Sequence, residues 1–210
     1  KSYEKILAIK PDFAEAHYNL GVTLQELNQL DDAVKSLEKA LAIKPDYAEA
    51  HNNLGITLQD LDQLDAAVKS YEQALTIKPD YAEAHYSLGN ASKKLGQLNS
   101  ALKSYEQALK IKPDYVEAHY SHGVTLQELG QLNAAVKSYK QVLTIKPDFA
   151  EMHNNLGVVF QKLDQMDAAV KSFEEALALK PDFAEAHNNL GNAHKELGQV
   201  DESVKNYEQV

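Results

Sequence analysis

Amide and hydroxyl side chains recur along this chain at a fixed interval of 34 residues. The positions are Asn19, Asn53, Ser87, Ser121, Asn155 and Asn189. An asparagine amide carries two N–H donors and one acceptor, so it can bond the N–H and the C=O of an extended peptide together. The alternative is that these residues only keep an exposed helix face soluble. Because asparagine is a poor helix former, its repeated use favours the binding interpretation.

Histidine follows the same interval. The positions are His17, His51, His85, His119, His153 and His187. One histidine per repeat is spaced along the chain and not clustered, which predicts a packing role with one ring nitrogen hydrogen-bonded, over a pH-sensing role. His119 and His122 have the i,i+3 spacing of a helical metal site, but no carboxylate or third histidine is obvious nearby. We therefore predict no metal site.

Motifs that carry enzyme chemistry are absent from the sequence. There is no nucleophile elbow, zinc-binding H-E-x-x-H, phosphate loop or dinucleotide fingerprint. The chain also lacks cysteine, which excludes a thiol nucleophile, a thiolate metal site and a disulfide framework. These observations predict a protein that is not an enzyme and that binds no cofactor.

The net negative charge of the chain disfavours some classes of binding partner. The net charge is −10, whereas nucleic acids and anionic membranes call for basic patches. All basic residues other than histidine are lysines, so no arginine offers a bidentate fork for phosphate or carboxylate. No apolar run approaches a membrane span of roughly 18 residues. The partner is predicted to be a protein or peptide, and a cysteine-free chain fits a reducing, cytoplasmic location.

The elements that must position these residues follow from the same period. Prolines and glycines also recur at intervals of 34 residues, which is typical of a solenoid of stacked helix-turn-helix units. In one unit, Asp46 and Glu49 predict a capping box for the first helix, and Asp65 predicts the cap of the second. Residues that tolerate a left-handed conformation are predicted to end the first helices. They are Asn28, Asp62, Gly96, Gly130, Asp164 and Gly198.

The second helix of that unit has an apolar face. The predicted buried residues are Ala67, Val68, Tyr71, Ala74, Leu75 and Ile77. Small residues at Gly55, Ala67 and Ala74 are expected to let the two helices approach closely. The repeated lysines at positions such as Lys69 and Lys103 are expected to form a solvated outer stripe.

Several of these positions resemble the tetratricopeptide repeat (TPR) family. The matching residues are Leu54, Gly55, Leu58, Ala67, Tyr71, Ala74 and Pro79. The resemblance implies an all-α, right-handed superhelical solenoid of helix-turn-helix repeats. In phase with the family, the chain comprises a partial second helix at 1–13, repeats at 14–47, 48–81, 82–115, 116–149 and 150–183, and an incomplete sixth at 184–210. Departures are expected to make layers looser or more polar: His122 replaces a leucine, and Ser92 and His194 replace large apolar residues.

First helices line a concave groove in this family. The resemblance therefore places the six periodic Asn and Ser residues, here called the amide column, in that groove. Flanking groove positions are Tyr18, Asn52, Tyr86, Tyr120, Asn154 and Asn188, followed by Val22, Ile56, Asn90, Val124, Val158 and Asn192. The column resembles the asparagine ladder in the repeat superhelix of O-linked N-acetylglucosamine transferase. A carboxylate clamp is not expected, because glutamates such as Glu49 and Glu83 occupy the first turns of these helices.

Three functions remain open at this point. The first is a scaffold that grips an extended protein segment through the Asn/Ser column. The second is the substrate-recognition arm of a larger glycosyltransferase-like enzyme, since both ends of the chain fall inside a repeat as in an excerpt. The third is a self-assembling or engineered array. Apolar residues at the two ends predict head-to-tail self-association: Ile6, Leu7, Ile9, Val200, Val204 and Tyr207.

Overall fold

A computed structural model describes the backbone of residues 2–209 and the side chains of residues 6–209. Within this part the chain forms thirteen α-helices and no strand, which confirms the predicted all-α class. The helices are α1 (Ser2–Ile9), α2 (Ala14–Glu26), α3 (Leu30–Ile43), α4 (Ala48–Asp60), α5 (Leu64–Ile77), α6 (Ala82–Lys94), α7 (Leu98–Ile111), α8 (Val116–Glu128), α9 (Leu132–Ile145), α10 (Ala150–Lys162), α11 (Met166–Leu179), α12 (Ala184–Glu196) and α13 (Val200–Tyr207). Among the described residues, none of the helices combines the length and the apolar composition that a membrane span requires.

The chain divides into two compact units, Lys1–Pro113 and Asp114–Val210. In the first unit α2 packs on α3, α4 on α5 and α6 on α7, and each pair also packs on the next. In the second unit the pairs are α8 with α9, α10 with α11, and α12 with α13. This is the helix-turn-helix stacking of a TPR solenoid. Each pair falls inside one predicted repeat.

Glycine permits the close approach of the two helices in a pair. A Cβ atom added to Gly55 would lie 2.6 Å from Cε1 of Tyr71, which is completely buried. The same relation joins Gly89 to Tyr105 and Gly157 to Phe173, with a distance of 2.5 Å in both pairs. The large aromatic ring of the second helix therefore occupies the space that any side chain at the glycine would need.

The first helices end at the predicted residues. Asn28, Asp62 and Asp164 have φ values of 58–59°, and the three equivalent glycines have φ values of 72–75°. At the end of α4, the Gln63 N–H donates to the Leu58 carbonyl at 2.8 Å, and the Asp62 N–H donates to the Gln59 carbonyl at 3.1 Å. These two bonds form a Schellman motif, and the prediction of left-handed helix ends is confirmed.

The predicted helix starts are wrong by one or two residues. Helix α4 begins at Ala48 with Tyr47 in the capping position, and Tyr47 makes no side-chain capping bond. Asp46 lies one residue too early for its carboxylate to act as the cap. Helix α5 begins at Leu64 after Gln63, so Asp65 falls in the first turn. There its negative charge interacts favourably with the positive end of the helix dipole.

The predicted apolar face of α5 is confirmed at its centre, whereas Val68 and Leu75 are only partly buried. Ala67, Tyr71 and Ala74 are fully buried, but Ile77 is 37% exposed. Ile77 is the last residue of α5, where the chain turns into the next connection at Lys78. Its counterparts Ile111 and Ile145 are exposed to the same extent. Exposure at this position is therefore a property of the repeat.

Candidate functional site

The predicted binding residues lie on the first helices of the repeats, with α2, α4 and α6 in the first unit and α8, α10 and α12 in the second. Asn52 and Asn154 are buried, with exposures of 5% and 1%. Tyr120 and Asn188 are exposed. The other positions are partly buried: Tyr18, Asn19, Asn53, Tyr86, Ser87, Asn90, Ser121, Val124, Asn155, Asn189 and Asn192. Two of the flanking positions are thus internal, and the remaining ones reach solvent.

A hydrogen bond joins the flanking position of one repeat to the amide position of the next. In the first unit, Asn53 donates from Nδ2 to the Tyr18 hydroxyl at 2.9 Å. The same nitrogen donates to the Glu49 carbonyl at 3.1 Å, so both of its hydrogens are used. The Asn53 Oδ1 atom accepts no hydrogen bond from the described residues. Asn53 therefore presents a fixed acceptor.

The second unit repeats this arrangement with a pair of amides. Asn189 donates from Nδ2 to Oδ1 of Asn154 at 2.9 Å. Asn154 in turn donates from Nδ2 to Oε1 of Glu185 at 3.1 Å. Because Asn154 is buried and bonded on both sides, it orients Asn189 and is not itself exposed to a ligand.

The counterpart of this amide pair in the first unit is incomplete. Asn52 and Ser87 occupy the positions that Asn154 and Asn189 occupy in the second unit. The Oδ1 atom of Asn52 is buried and accepts no hydrogen bond from the described part of the chain. The serine side chain is shorter than that of asparagine, and it does not satisfy the buried oxygen of Asn52. An unsatisfied buried acceptor therefore remains in this layer.

Tyrosines of the second helices orient two further amides. Tyr105 donates from its hydroxyl to Oδ1 of Asn90 at 2.8 Å, and Tyr207 does the same to Asn192 at 2.8 Å. These bonds engage the carbonyl oxygen and leave Nδ2 as a donor. Our sequence reasoning missed this role for tyrosine. In the sequence, this contact corresponds to an asparagine followed 15 residues later by a tyrosine. Two other repeats have the tyrosine but carry Ile56 or Val124 at the asparagine position, so they cannot form the bond.

An aromatic cluster lies at the start of the first helices in the first unit. The Tyr18 and Tyr47 ring centroids are 4.9 Å apart. Burial, followed by the charge of Glu49, raises the pKa of Tyr18, and the same two causes raise the pKa of Tyr81 to about 12. These phenols are therefore protonated at neutral pH. Lys78 lies 3.5 Å from Glu49 and places its Nζ 4.6 Å from the Tyr81 centroid, so the glutamate has a lysine partner within the protein.

The periodic histidines tie the connections to the first helices. In each case Nε2 lies 2.9–3.0 Å from a proline carbonyl six residues earlier. The residues are His17, His51, His85, His153 and His187. The carbonyl is an acceptor only, so Nε2 carries the donated proton. The prediction of a packing role with one bonded ring nitrogen is confirmed at these five positions.

The fourth repeat contains a specific polar contact at its unusual histidine. Nδ1 of His122 lies 2.9 Å from the Ser138 hydroxyl on the paired helix. This contact gives the layer the polar character that the sequence predicted. Across the described residues, no three His, Asp or Glu side chains are placed to hold a metal ion.

Comparison with known proteins identifies the repeat. The family model described as "TPR repeat" matches residues 26–62, 59–96, 89–130, 126–164 and 162–198, and "Tetratricopeptide repeat" matches residues 2–35. YrrB, described as a TPR protein with an unusual peptide-binding site, has a TM-score of 0.75 at 24% identity, over 89% of this chain and 96% of its own. MamA from Desulfovibrio magneticus RS-1 has a TM-score of 0.72 at 19% identity, over 77% of this chain and 92% of its own. No curated protein matches the chain.

Proposed function

The chain belongs to the tetratricopeptide repeat family, and we propose that it is a scaffold that binds extended protein segments on its first helices. The observation that carries this proposal is the hydrogen-bonded amide of Asn53, whose nitrogen is held by Tyr18 and Glu49 and whose oxygen is left open. An orientation fixed before binding avoids the entropy that a mobile amide would lose on contact with a ligand.

The two kinds of amide have complementary roles in this proposal. Asn53 accepts from a peptide N–H through Oδ1, whereas Asn90 and Asn192 donate from Nδ2 to a peptide C=O. Peptide backbones carry both groups in alternation, so a face with both an acceptor and a donor suits an extended segment. Tyr86, Tyr120 and Val124 supply apolar contacts for its side chains. The peptide-binding site described for YrrB supports the same kind of ligand.

Photocrosslinking tests the binding face directly. Benzoylphenylalanine at Tyr120 or Tyr86 should capture lysate proteins, and the same residue at Lys103 or Lys137, which are exposed on second helices, should not. Capture from the lysine positions alone would contradict the proposal. The rival function, a substrate-recognition arm of a larger enzyme, uses the same face. It is favoured if the captured proteins are substrates of one transferase.

Self-association is a second candidate, favoured by the last helix. Tyr207 is 38% exposed, whereas its counterparts Tyr71, Tyr105 and Tyr139 are at most 1% exposed. Val200 and Val204 on the same helix are 63% and 49% exposed. Exposed apolar surface of this kind favours a partner, and another copy offers the surfaces that repeats bury on one another. Sedimentation velocity should show association that Val204→Glu suppresses. A monomer at all concentrations would exclude it.

A further inference from the structure

Equivalent cavities open in the two units at the same place in the repeat. Each is lined by two successive second helices and the first helix between them. The cavity in the first unit has a volume of about 540 Å³ and the cavity in the second about 570 Å³. They share seven lining positions, four repeats apart. The pairs are Leu7 and Leu143, Pro11 and Pro147, His17 and His153, Leu20 and Leu156, Ser36 and Ser172, Lys39 and Glu175, and Ile43 and Leu179.

The cavity of the second unit departs from the repeat at two residues. Lys140 on α9 stands where every other copy of this position has glutamate: Glu4, Glu38, Glu72, Glu106, Glu174 and Glu208. Phe160 on α10 stands where other repeats have leucine, or Ser92 and His194. The Lys140 Nζ lies 5.6 Å from the Phe160 ring centroid, within the range of a cation–π contact. The two unusual residues are therefore adjacent and line one cavity.

These two residues change both the apolar lining and the net charge of the cavity. Leu143, Leu156 and Phe160 provide apolar surface, and Phe160 is only partly buried. Lys140 and Lys171 lie in the lining with one acid, Glu175. A lining with more lysine than acid is notable in a chain whose net charge is −10. A volume of this size exceeds that of a single large side chain and falls within the ~300–1,000 Å³ of typical binding clefts.

We propose that the cavity formed by α9, α10 and α11 binds an acidic peptide segment. The segment seats a large apolar side chain against Leu156 and Phe160 and places a neighbouring carboxylate at Lys140. Charge complementarity with Lys140 and Lys171 selects an acidic partner. The residues that line this cavity differ from the asparagines and serines proposed to bind extended segments on the first helices. The protein therefore has a second binding site of different specificity.

Short capped tripeptides test this specificity. The probes are acetyl-Glu-Phe-Glu-amide, its Gln-Phe-Gln analogue and its Lys-Phe-Lys analogue, titrated into 15N-labelled full-length protein and followed by NMR. The acidic probe should shift the amides of Leu143, Phe160 and Lys171. The neutral probe should bind roughly fivefold more weakly, as expected for loss of exposed charge pairs, and the basic probe more weakly still. Equal binding of all three, or shifts confined to Asn155 and Asn189, would overturn the proposal.

Two variants restore the residues of other repeats and therefore preserve the fold. Lys140→Glu should abolish the preference for the acidic probe, and Phe160→Leu should weaken the acidic and neutral probes alike. Lys137→Glu, an exposed position of α9 outside the cavity lining, should change neither. An unchanged preference in Lys140→Glu would overturn the assignment of the carboxylate to this lysine. Peptide capture at the amide face is independent of these variants, so failure here is distinguishable from failure of the proposed function.

Discussion

Asn189 donates a hydrogen bond from Nδ2 to Oδ1 of Asn154, 35 residues earlier, at 2.9 Å. The bond between Asn53 and Tyr18 spans the same 35 residues. Because the repeat itself is 34 residues long, an offset of 35 joins the amide position of one repeat to the flanking position of the preceding repeat. Neighbouring first helices are thereby linked, and the amides are held in one orientation before any ligand binds.

Ser87→Asn should supply the hydrogen bond that the buried Oδ1 of Asn52 lacks in the first unit. A longer amide at this position can donate to the buried Oδ1 of Asn52, as Asn189 does to Asn154. The Tyr71 hydroxyl keeps its contact with Gln59 at 3.5 Å. We expect the free energy of unfolding to rise by about 1 kcal/mol, measured by urea denaturation. Ser87→Ala is the control and should not stabilise. A loss of stability in Ser87→Asn would show that the amide cannot reach Asn52.

Gly157→Ala should destabilise the second unit. The added Cβ would lie 2.5 Å from Cε1 of Phe173, which is completely buried, so the two helices must separate. We expect a loss of about 1–3 kcal/mol, the usual cost of overpacking. Gly96→Asn is the matched control, because nothing lies within 4 Å of that position and Asn28 adopts the same backbone conformation with φ 58°. Thermal denaturation should leave the control close to wild type. Equal melting temperatures for both variants would contradict this account of the repeated glycine.

His122→Leu should stabilise the fourth repeat even though it removes the contact with Ser138. Three of the five equivalent leucines, Leu54, Leu156 and Leu190, are at most 9% exposed, so an apolar side chain fits this position. Ser138 has another partner available, since the equivalent Ser70 donates to the carbonyl four residues earlier. We expect a gain of about 1 kcal/mol by chemical denaturation. His122→Ala should lose stability. A loss in His122→Leu would mean that the Ser138 contact outweighs the added burial.

Alkaline pH should destabilise the first unit through Tyr81. Burial and Glu49 raise its pKa from 10.0 to about 12, so between these values the unfolded chain loses a proton that the folded chain keeps. Stability from this group is complete below pH 10 and is lost as pH rises toward 12. Tyr81→Phe should flatten the decline in unfolding free energy over this interval. An identical decline in the variant would exclude Tyr81 as a cause, and titration of tyrosinate absorbance provides an independent measure.

The sequence predicts features that depend on local conformation. Asn28, Asp62 and Gly96 end helices because a left-handed residue is required wherever the chain turns back, and few residue types adopt it cheaply. The histidine contacts are also local, since each spans six residues. By contrast, the capping prediction at Asp46 failed because the connection between Pro45 and α4 is one residue longer than a capping box allows.

Contacts that depend on how helices pack cannot be predicted from the residue pattern of a single repeat. Asn154 is hydrogen-bonded to Glu185 and Asn189 of the following repeat, and the period alone does not predict this register. The contact of Tyr105 with Asn90 lies within one repeat, but it too depends on packing, because the tyrosine ring must cross the helix pair to reach the amide. For the amide column, the sequence indicates the residue types, and the packing of adjacent helices decides which atoms remain available.

Calorimetric titration of a selected peptide tests the central claim most directly. A peptide chosen from a random library for binding to the full chain is titrated into wild type and into the triple variant Asn53→Ala, Asn155→Ala, Asn189→Ala. Each lost net hydrogen bond contributes about 0.5–1.5 kcal/mol, so the triple variant should bind at least about tenfold more weakly. Its helicity should match wild type, and substitution of the exposed Lys35, Lys69 and Lys103 by alanine should leave affinity unchanged. Equal affinity of the triple variant and wild type would contradict the amide-mediated scaffold.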